Sequence, residues 1–219
     1  MGRRILVFDL DETLISSEVL YDSKYSGYIL TKIAVNEPLL QLIYNAKHLG
    51  YLVLLLTNNN NAKVLFNGKE GKFIDIALKE LTDTYARNYR SDAPLFNKIL
   101  TAEKIKDMKR TYLKRRIDIQ YKTLNGKTHT EYYSKPVKSL KDVTNMLGYP
   151  VKGDDVYFFD DDNEHKLCKE SNFIHITPPF GKGEDKTNFS LISHIKEEKR
   201  LPKKRRQTRR KLKDSSHII

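Results

Sequence analysis

Ile5-Leu6-Val7-Phe8-Asp9-Leu10-Asp11-Glu12-Thr13 is the stretch on which the fold turns. Four apolar, β-branched or aromatic residues stop abruptly at alternating acids, the pattern of a buried strand that empties into a polar loop. Working outward, Leu39, Leu42, Ile43 and Ala46 recur at helical spacing after Pro38, and Gly50 stands where a C-terminal cap belongs. Tyr51 to Leu56 is a second apolar run, ending in Thr57-Asn58-Asn59-Asn60-Asn61. Two buried strands joined by a helix form a βαβ crossover, which argues for a parallel sheet covered on both faces. In such sheets ligands sit at the carboxyl ends of the strands, and both of these ends are polar.

The same order returns later in the chain. Leu140, Val143 and Leu147 form a helical stripe ended by Gly148, and Val156 to Phe159 is a third strand that runs into Asp160-Asp161-Asp162-Asn163. Phe173 to Ile176 reads as a fourth strand stopped by Pro178-Pro179, and Leu191, Ile192 and Ile195 suit a closing helix. Between Asn61 and Lys135 the pattern changes. Ile74, Ala77, Leu78 and Leu81 predict one helix, residues 104–116 are strongly basic, and Asn125-Gly126 between alternating runs predicts an inserted β-hairpin near the active edge. No repeat of 20 to 50 residues is visible.

Charge divides the 219 residues. The net charge is +12, yet residues 1–198 carry 30 basic and 27 acidic groups, whereas residues 199–213 carry ten basic groups and no acid. The body is near neutral and the basicity belongs to a tail, expected to be disordered, with the boundary at about residue 198. A hydrophobic fraction of 39% excludes a wholly disordered chain. No apolar run approaches the roughly 18 residues that cross a bilayer, and Asp9 comes too early for a signal-peptide core, so a membrane or secreted protein is not expected. The single cysteine, Cys168, excludes an internal disulfide framework and fits a reducing compartment.

Three strand ends thus deliver Asp9 and Asp11, Thr57 and Asn58, and Asp160 and Asp161. Brought to one sheet edge, the carboxylates require a cation or protons. Oxygen ligands favour a hard ion, Mg²⁺ first, and a cation with open positions among carboxylates suits phosphate.

Val7 to Ile15, in its Asp-Leu-Asp-Glu-Thr-Leu form, resembles the first motif of the haloacid dehalogenase-like phosphatases, in the branch that acts on the carboxy-terminal domain of RNA polymerase II. Leu54 to Asn58 resembles the second motif, Lys135-Pro136 the third and Phe158 to Asp161 the fourth, all in order across residues 5–161. Asn125 to Lys135 is similar to the hairpin and lysine of that branch, while the three successive acids are more like the small magnesium-dependent phosphatases. The resemblance implies a Rossmann-like three-layer α/β fold with Asp9 as nucleophile and Asp11 as general acid and base. It implies Mg²⁺ on the side chains of Asp9 and Asp160 and the carbonyl of Asp11, supported by Asp161, and phosphate held by Thr57, the amide of Asn58, and Lys135. Lys138 lies one helical step from Lys135; Lys135 is preferred because Lys-Pro is read as the start of the helix.

Plainer readings apply elsewhere. An Asp-x-Asp pair alone is ordinarily a turn or cap. Cys168 lacks the arginine six residues later that a cysteine phosphatase needs, and Ile174 stands there. The six histidines show no zinc spacing, and His165 is read as structural or supporting. Pro202 to Arg206 resembles a nuclear-import signal, and the tail's charge suits nonspecific nucleic acid.

The expectation is therefore a phosphatase domain over residues 1–197, with a modest insert at about 62–134 and an open site. The substrate expected is a phosphoserine or phosphothreonine protein. The alternatives are a nucleic-acid 3′-end phosphatase and an inactive nucleic-acid-binding protein of the same fold. Removing residues 199–219 is expected to abolish salt-sensitive polyanion binding, measured by retention on an anionic matrix across a salt gradient.

Overall fold

A computed structural model describes residues 4–23, 27–59, 62–101 and 114–177. The closing helix expected at Leu191 to Ile195, the basic tail and most of the basic stretch 104–116 lie outside these residues.

Strand β1 (Ile5–Phe8) occupies the middle of a five-stranded sheet, between β4 (Leu52–Leu56) and β10 (Val156–Asp160), with β7 (Lys98–Leu100) and β11 (Asn172–His175) at the edges. Every pairing is parallel, and Phe8 stands level with Leu55 and Phe159. All four β1 residues are buried, as a central strand covered on both faces requires. Alternation sends Leu6 and Phe8 to one face, where α1 (Glu37–His48) and α2 (Phe73–Tyr89) cover them. Ile5 and Val7 face the other way, against α3 (Leu140–Leu147) and the short α4 (Lys166–Glu170). The helices thus lie on both faces of the parallel sheet, the layering expected of an α/β chain.

Helix α1 begins where its sequence signals it. The Asn36 side chain accepts from the Leu39 amide at 3.3 Å and donates to the Thr13 carbonyl at 3.0 Å, so one cap ties the helix to the loop after β1. Pro38 lies in the first turn, and Gly50 adopts φ +81 just past the end.

The second sheet exceeds the small hairpin expected. It has six strands in the order β6 (Lys69–Lys72), β5 (Lys63–Phe66), β3 (Gly27–Val35), β2 (Ile15–Asp22), β8 (Lys114–Thr123) and β9 (Thr128–Pro136). Strands β2 (Ile15–Asp22) and β3 (Gly27–Val35) form an antiparallel pair directly after the first acidic loop. Between the pairs Glu18/Lys32 and Val19/Leu30 the residue Thr31 is left over, and this interrupts the period-two signal of β3. Strands β5 (Lys63–Phe66) and β6 (Lys69–Lys72) join through Asn67-Gly68, both at positive φ, the same dipeptide that signalled the hairpin at 125–126. That second hairpin is present as β8 (Lys114–Thr123) and β9 (Thr128–Pro136). The segment 62–134 is therefore no single insert, because β7 within it completes the main sheet. Leu30 and Val64 share one apolar cluster with Leu6 and Phe8, so the two sheets are packed through a common core.

Phe8 and Phe159 stack at 4.5 Å in the centre of that core, and Phe159 is 1% exposed. Phe159→Ala is expected to cost about 3–5 kcal/mol of stability, read as a lower denaturant midpoint in urea at unchanged slope.

Candidate active site

The carboxyl ends of β1 and β10 meet because the strands are neighbours in register. The Asp9 amide continues the ladder to the Phe159 carbonyl at 2.9 Å, which places Asp9 beside Asp160. After Asp9 the chain turns back on itself: the Leu14 and Ile15 amides both donate to the Leu10 carbonyl at 3.0 Å. Glu12 pays for this turn with a left-handed φ of 53, a conformation that costs a non-glycine residue of order 1–3 kcal/mol and that concentrates at functional loops.

Between the two strand ends lies the ammonium of Lys138. Its Nζ donates to Oδ1 of Asp9 at 2.5 Å and to Oδ2 of Asp160 at 2.7 Å, and the side chain is 1% exposed. Its backbone is held from both sides. The Lys138 amide donates to Nδ1 of His165 at 3.2 Å, and its carbonyl accepts from the Leu167 amide at 3.0 Å. Burial opposes the lysine's charge, but the fields of Asp160 and Asp9 outweigh it and hold the ammonium above its ordinary range. Burial likewise pushes Asp160 above the carboxylate range, against the pull of Lys138.

This position belongs to Lys138 and not to Lys135, which corrects the sequence reading. Lys-Pro does not begin the helix: Pro136 ends β9. The helix starts after Ser139, whose amide and hydroxyl both donate to Oδ2 of Asp142. That Ser-x-x-Asp cap is the signal that places Lys138 immediately before the helix. Lys135 instead stands on the wall of the same cavity, where its charge opposes the raised pKa of Asp11.

Asp11 lines the cavity beside Asp9. Burial first, then the neighbouring Asp9 charge, raise its pKa to about 6, while a 3.1 Å hydrogen bond from Nδ2 of Asn59 acts the other way. The sequence reading kept only Asn58 from the asparagine run, yet Asn59 is the one that positions Asp11. Asn58 is 5% exposed and donates through Nδ2 to the Pro136 carbonyl at 2.9 Å, tying the β4 loop to the end of β9. Thr57 is fully buried, and its Oγ1 accepts from the Asn59 amide at 3.1 Å. It supports the loop from behind and is not among the residues that line the cavity.

Asp9, Asp160 and Asp161 each offer an oxygen within 4.8 Å of the others. Asp161 therefore belongs with the candidate ligands, whereas the Asp11 carboxylate lies outside that group of three. The Asp161 amide donates to Oγ1 of Thr13 and its carbonyl accepts from His175, which fixes the loop after β10. Burial and Asp9 raise the Asp161 carboxyl to about 6. Three carboxyl groups share one ammonium in a largely buried place, an excess of acid that protons or a cation must balance, and an all-oxygen donor set of this kind fits a hard divalent cation.

Above the cluster, a cavity of about 660 Å³ opens between the edge of the parallel sheet and the second sheet. Its floor includes Asp9, Asp11, Lys138 and Asp160, and its opposite wall includes Tyr28, Tyr121 and Tyr133. The open site expected from sequence is thus walled by β3, β8 and β9. The half-buried Cys168 stays outside the chemistry, since burial pushes its thiol up to about 12. Among the described residues, no helix is long and apolar enough to cross a membrane. No protein-family model matches the chain, and no curated protein matches it.

Lys138→Met is expected to destabilise the fold by about 3–5 kcal/mol, because it leaves Asp9 and Asp160 buried without their counter-charge. Lys135→Met, on a solvated wall, is expected to change stability by about 0.5 kcal/mol or less. Paired urea titrations of the two variants check the assignment.

Proposed function

We propose that this chain is a Mg²⁺-dependent phosphate monoester hydrolase of the haloacid dehalogenase-like class, working through an aspartyl-phosphate. The observation that carries the reading is the buried contact of Lys138 with both Asp9 and Asp160 at the carboxyl edge of a parallel sheet. Three of the four ordered motifs of the sequence, those that carry Asp9, Asn58 and Asp160, follow strands of that sheet and support the reading from a second direction.

An oxygen of Asp9 attacks phosphorus in line, forming an acyl phosphate on Asp9 as the bond from phosphorus to the leaving oxygen breaks. Asp11 gives its proton to that oxygen. In the second step Asp11 takes a proton from water, the water oxygen bonds to phosphorus, and the bond to Asp9 breaks to release phosphate. Lys138 holds Asp9 in place and offsets the negative charge gathered on the cluster and the phosphoryl oxygens. Asn59 orients Asp11, and Lys135 offers the incoming phosphate a cation from the wall. Asp9, Asp160 and Asp161 would hold Mg²⁺, which when bound would neutralise further phosphoryl charge.

The motif resemblance favours a phosphoprotein substrate, but the wall of the cavity favours a different leaving group. The run Pro202 to Arg206 supports nuclear import of the chain.

Turnover of an aryl phosphate is expected to require Mg²⁺, to stop on chelation, and to vanish in Asp9→Asn. Asp11→Asn is expected to lower kcat by roughly 10²–10⁴-fold on an alkyl phosphate, whose leaving oxygen needs the proton. Steady-state assays of the two variants decide the matter, and activity that survives Asp9→Asn removes the nucleophile from the scheme.

A further inference from the structure

The cavity face of the second sheet is made largely of tyrosine. Along β9 the half-buried positions alternate with exposed ones, which puts His129, Glu131, Tyr133 and Lys135 on one side. Tyr28 from β3 and Tyr121 from β8 meet Tyr133 there. The Tyr28 and Tyr121 rings lie 5.0 Å apart, and Tyr21 closes the row at 5.6 Å from Tyr28 while stacking on His129 at 3.9 Å.

The hydroxyls of Tyr28 and Tyr133 are already engaged. Tyr28 and Tyr133 share a hydrogen bond of 3.3 Å, Tyr133 donates to Glu131, and the other Glu131 oxygen meets Nε2 of His129 at 3.1 Å. Burial and the Glu131 acceptor raise Tyr28 to about 12 and hold Tyr133 higher, so both phenols remain protonated within this network. A network with its donors turned inward fixes the rings and leaves ring surface as what the wall offers a ligand. Glu12, Asp118 and Asp162 also line the cavity. A leaving group carrying negative charge of its own is disfavoured between them, whereas an uncharged flat ring is not.

We propose that the cavity takes a nucleoside phosphate, with its phosphoryl group at Asp9 and its base stacked on Tyr28, Tyr121 and Tyr133. This rests on the phosphatase reading above and names its substrate class. The ester bond from phosphorus to the sugar oxygen breaks, and the nucleoside leaves with the proton from Asp11. A volume of about 660 Å³ admits a nucleoside monophosphate. Stacking on aromatic side chains accepts any base, because each has a π face. A free nucleotide and a phosphorylated nucleic-acid end present the same phosphate and base; the acids of the lining favour the free nucleotide, whose nucleoside leaves uncharged, and the ten basic groups of residues 199–213, which attract polyanions, make the polymer end the other source to be tested.

The test compares kcat/KM of the full chain with Mg²⁺ on a nucleoside 3′-phosphate, a nucleoside 5′-phosphate, a 3′-phosphorylated oligonucleotide, glycerol phosphate, and phosphoserine and phosphotyrosine peptides. Nucleoside esters are expected to lead glycerol phosphate by roughly ten-fold or more. Tyr121→Leu is expected to remove the lead through a higher KM, and Tyr121→Phe, which keeps the ring, to retain it. A lead for the oligonucleotide that falls with salt or with deletion of residues 199–219 assigns the nucleic-acid end as source; equal turnover of the mononucleotide assigns the free nucleotide. Either phosphopeptide matching the nucleoside esters, or Tyr121→Leu lowering turnover of all esters alike, overturns the proposal. If no ester is hydrolysed, the phosphatase reading fails by itself, and adenosine binding followed by tyrosine fluorescence then decides the wall. Quenching lost in Tyr121→Leu upholds it, and no quenching overturns it.

Discussion

A buried ammonium held between two buried carboxylates is the contact on which the rest of this site depends. Asp9 and Asp160 are adjacent because β1 and β10 are paired in register, and adjacency of two anions in an apolar sheet edge is unfavourable by itself. Lys138 reverses that sign. Its own charge needs the two carboxylates just as they need it, so none of the three is independently stable in place. The surrounding backbone reflects this mutual need. His165 and the Leu167 amide grip the Lys138 main chain, and Asn58 ties the β4 loop to Pro136 just upstream. Three separate segments of chain are thereby locked around one charge.

The cluster still carries more negative than positive charge once Asp161 is counted, and this residue of charge gives the place its chemical character. A divalent cation, protons or both complete it. Raised carboxyls at Asp11 and Asp161 follow from the same excess acting in a poorly solvated setting. The left-handed Glu12 bends the loop so that Asp11 faces the cavity beside Asp9 instead of continuing along the strand. Backbone strain there and buried charge beside it are both maintained by the common apolar core beneath, in which Phe8 and Phe159 stack.

The second sheet turns this edge into a cavity. Its hairpins are held to the parallel sheet by shared core residues such as Leu30 and Val64, while Tyr28 of β3 and Tyr133 of the β8–β9 hairpin share a hydrogen bond and Tyr133 donates to Glu131. An anionic floor and an aromatic wall make different demands on a ligand: the floor takes phosphate through cations, and the wall takes a ring through its surface. The reach from one to the other constrains what bridges them.

The parallel core was readable from local patterns because buried strands ending in acids, and a helix bounded by Pro38 and Gly50, are set by neighbours in the chain. Asp9, Asp11, Asp160 and Asp161 were identifiable for the same reason, as the residues that follow apolar runs. The extent of the second sheet was not, since the unpaired Thr31 interrupts the alternation of β3 and strand pairing between β2 and β8 joins residues a hundred positions apart. The choice between Lys135 and Lys138 was also left to the tertiary structure. Both are lysines near one strand end, and only the three-dimensional meeting of that end with Asp9, Asp160 and His165 decides which amine is buried as a counter-charge and which stays on the wall. The sequence alone thus determined which groups are available for chemistry; long-range pairing determined which of them touch, because electrostatic partnership depends on distances that the order of residues does not contain.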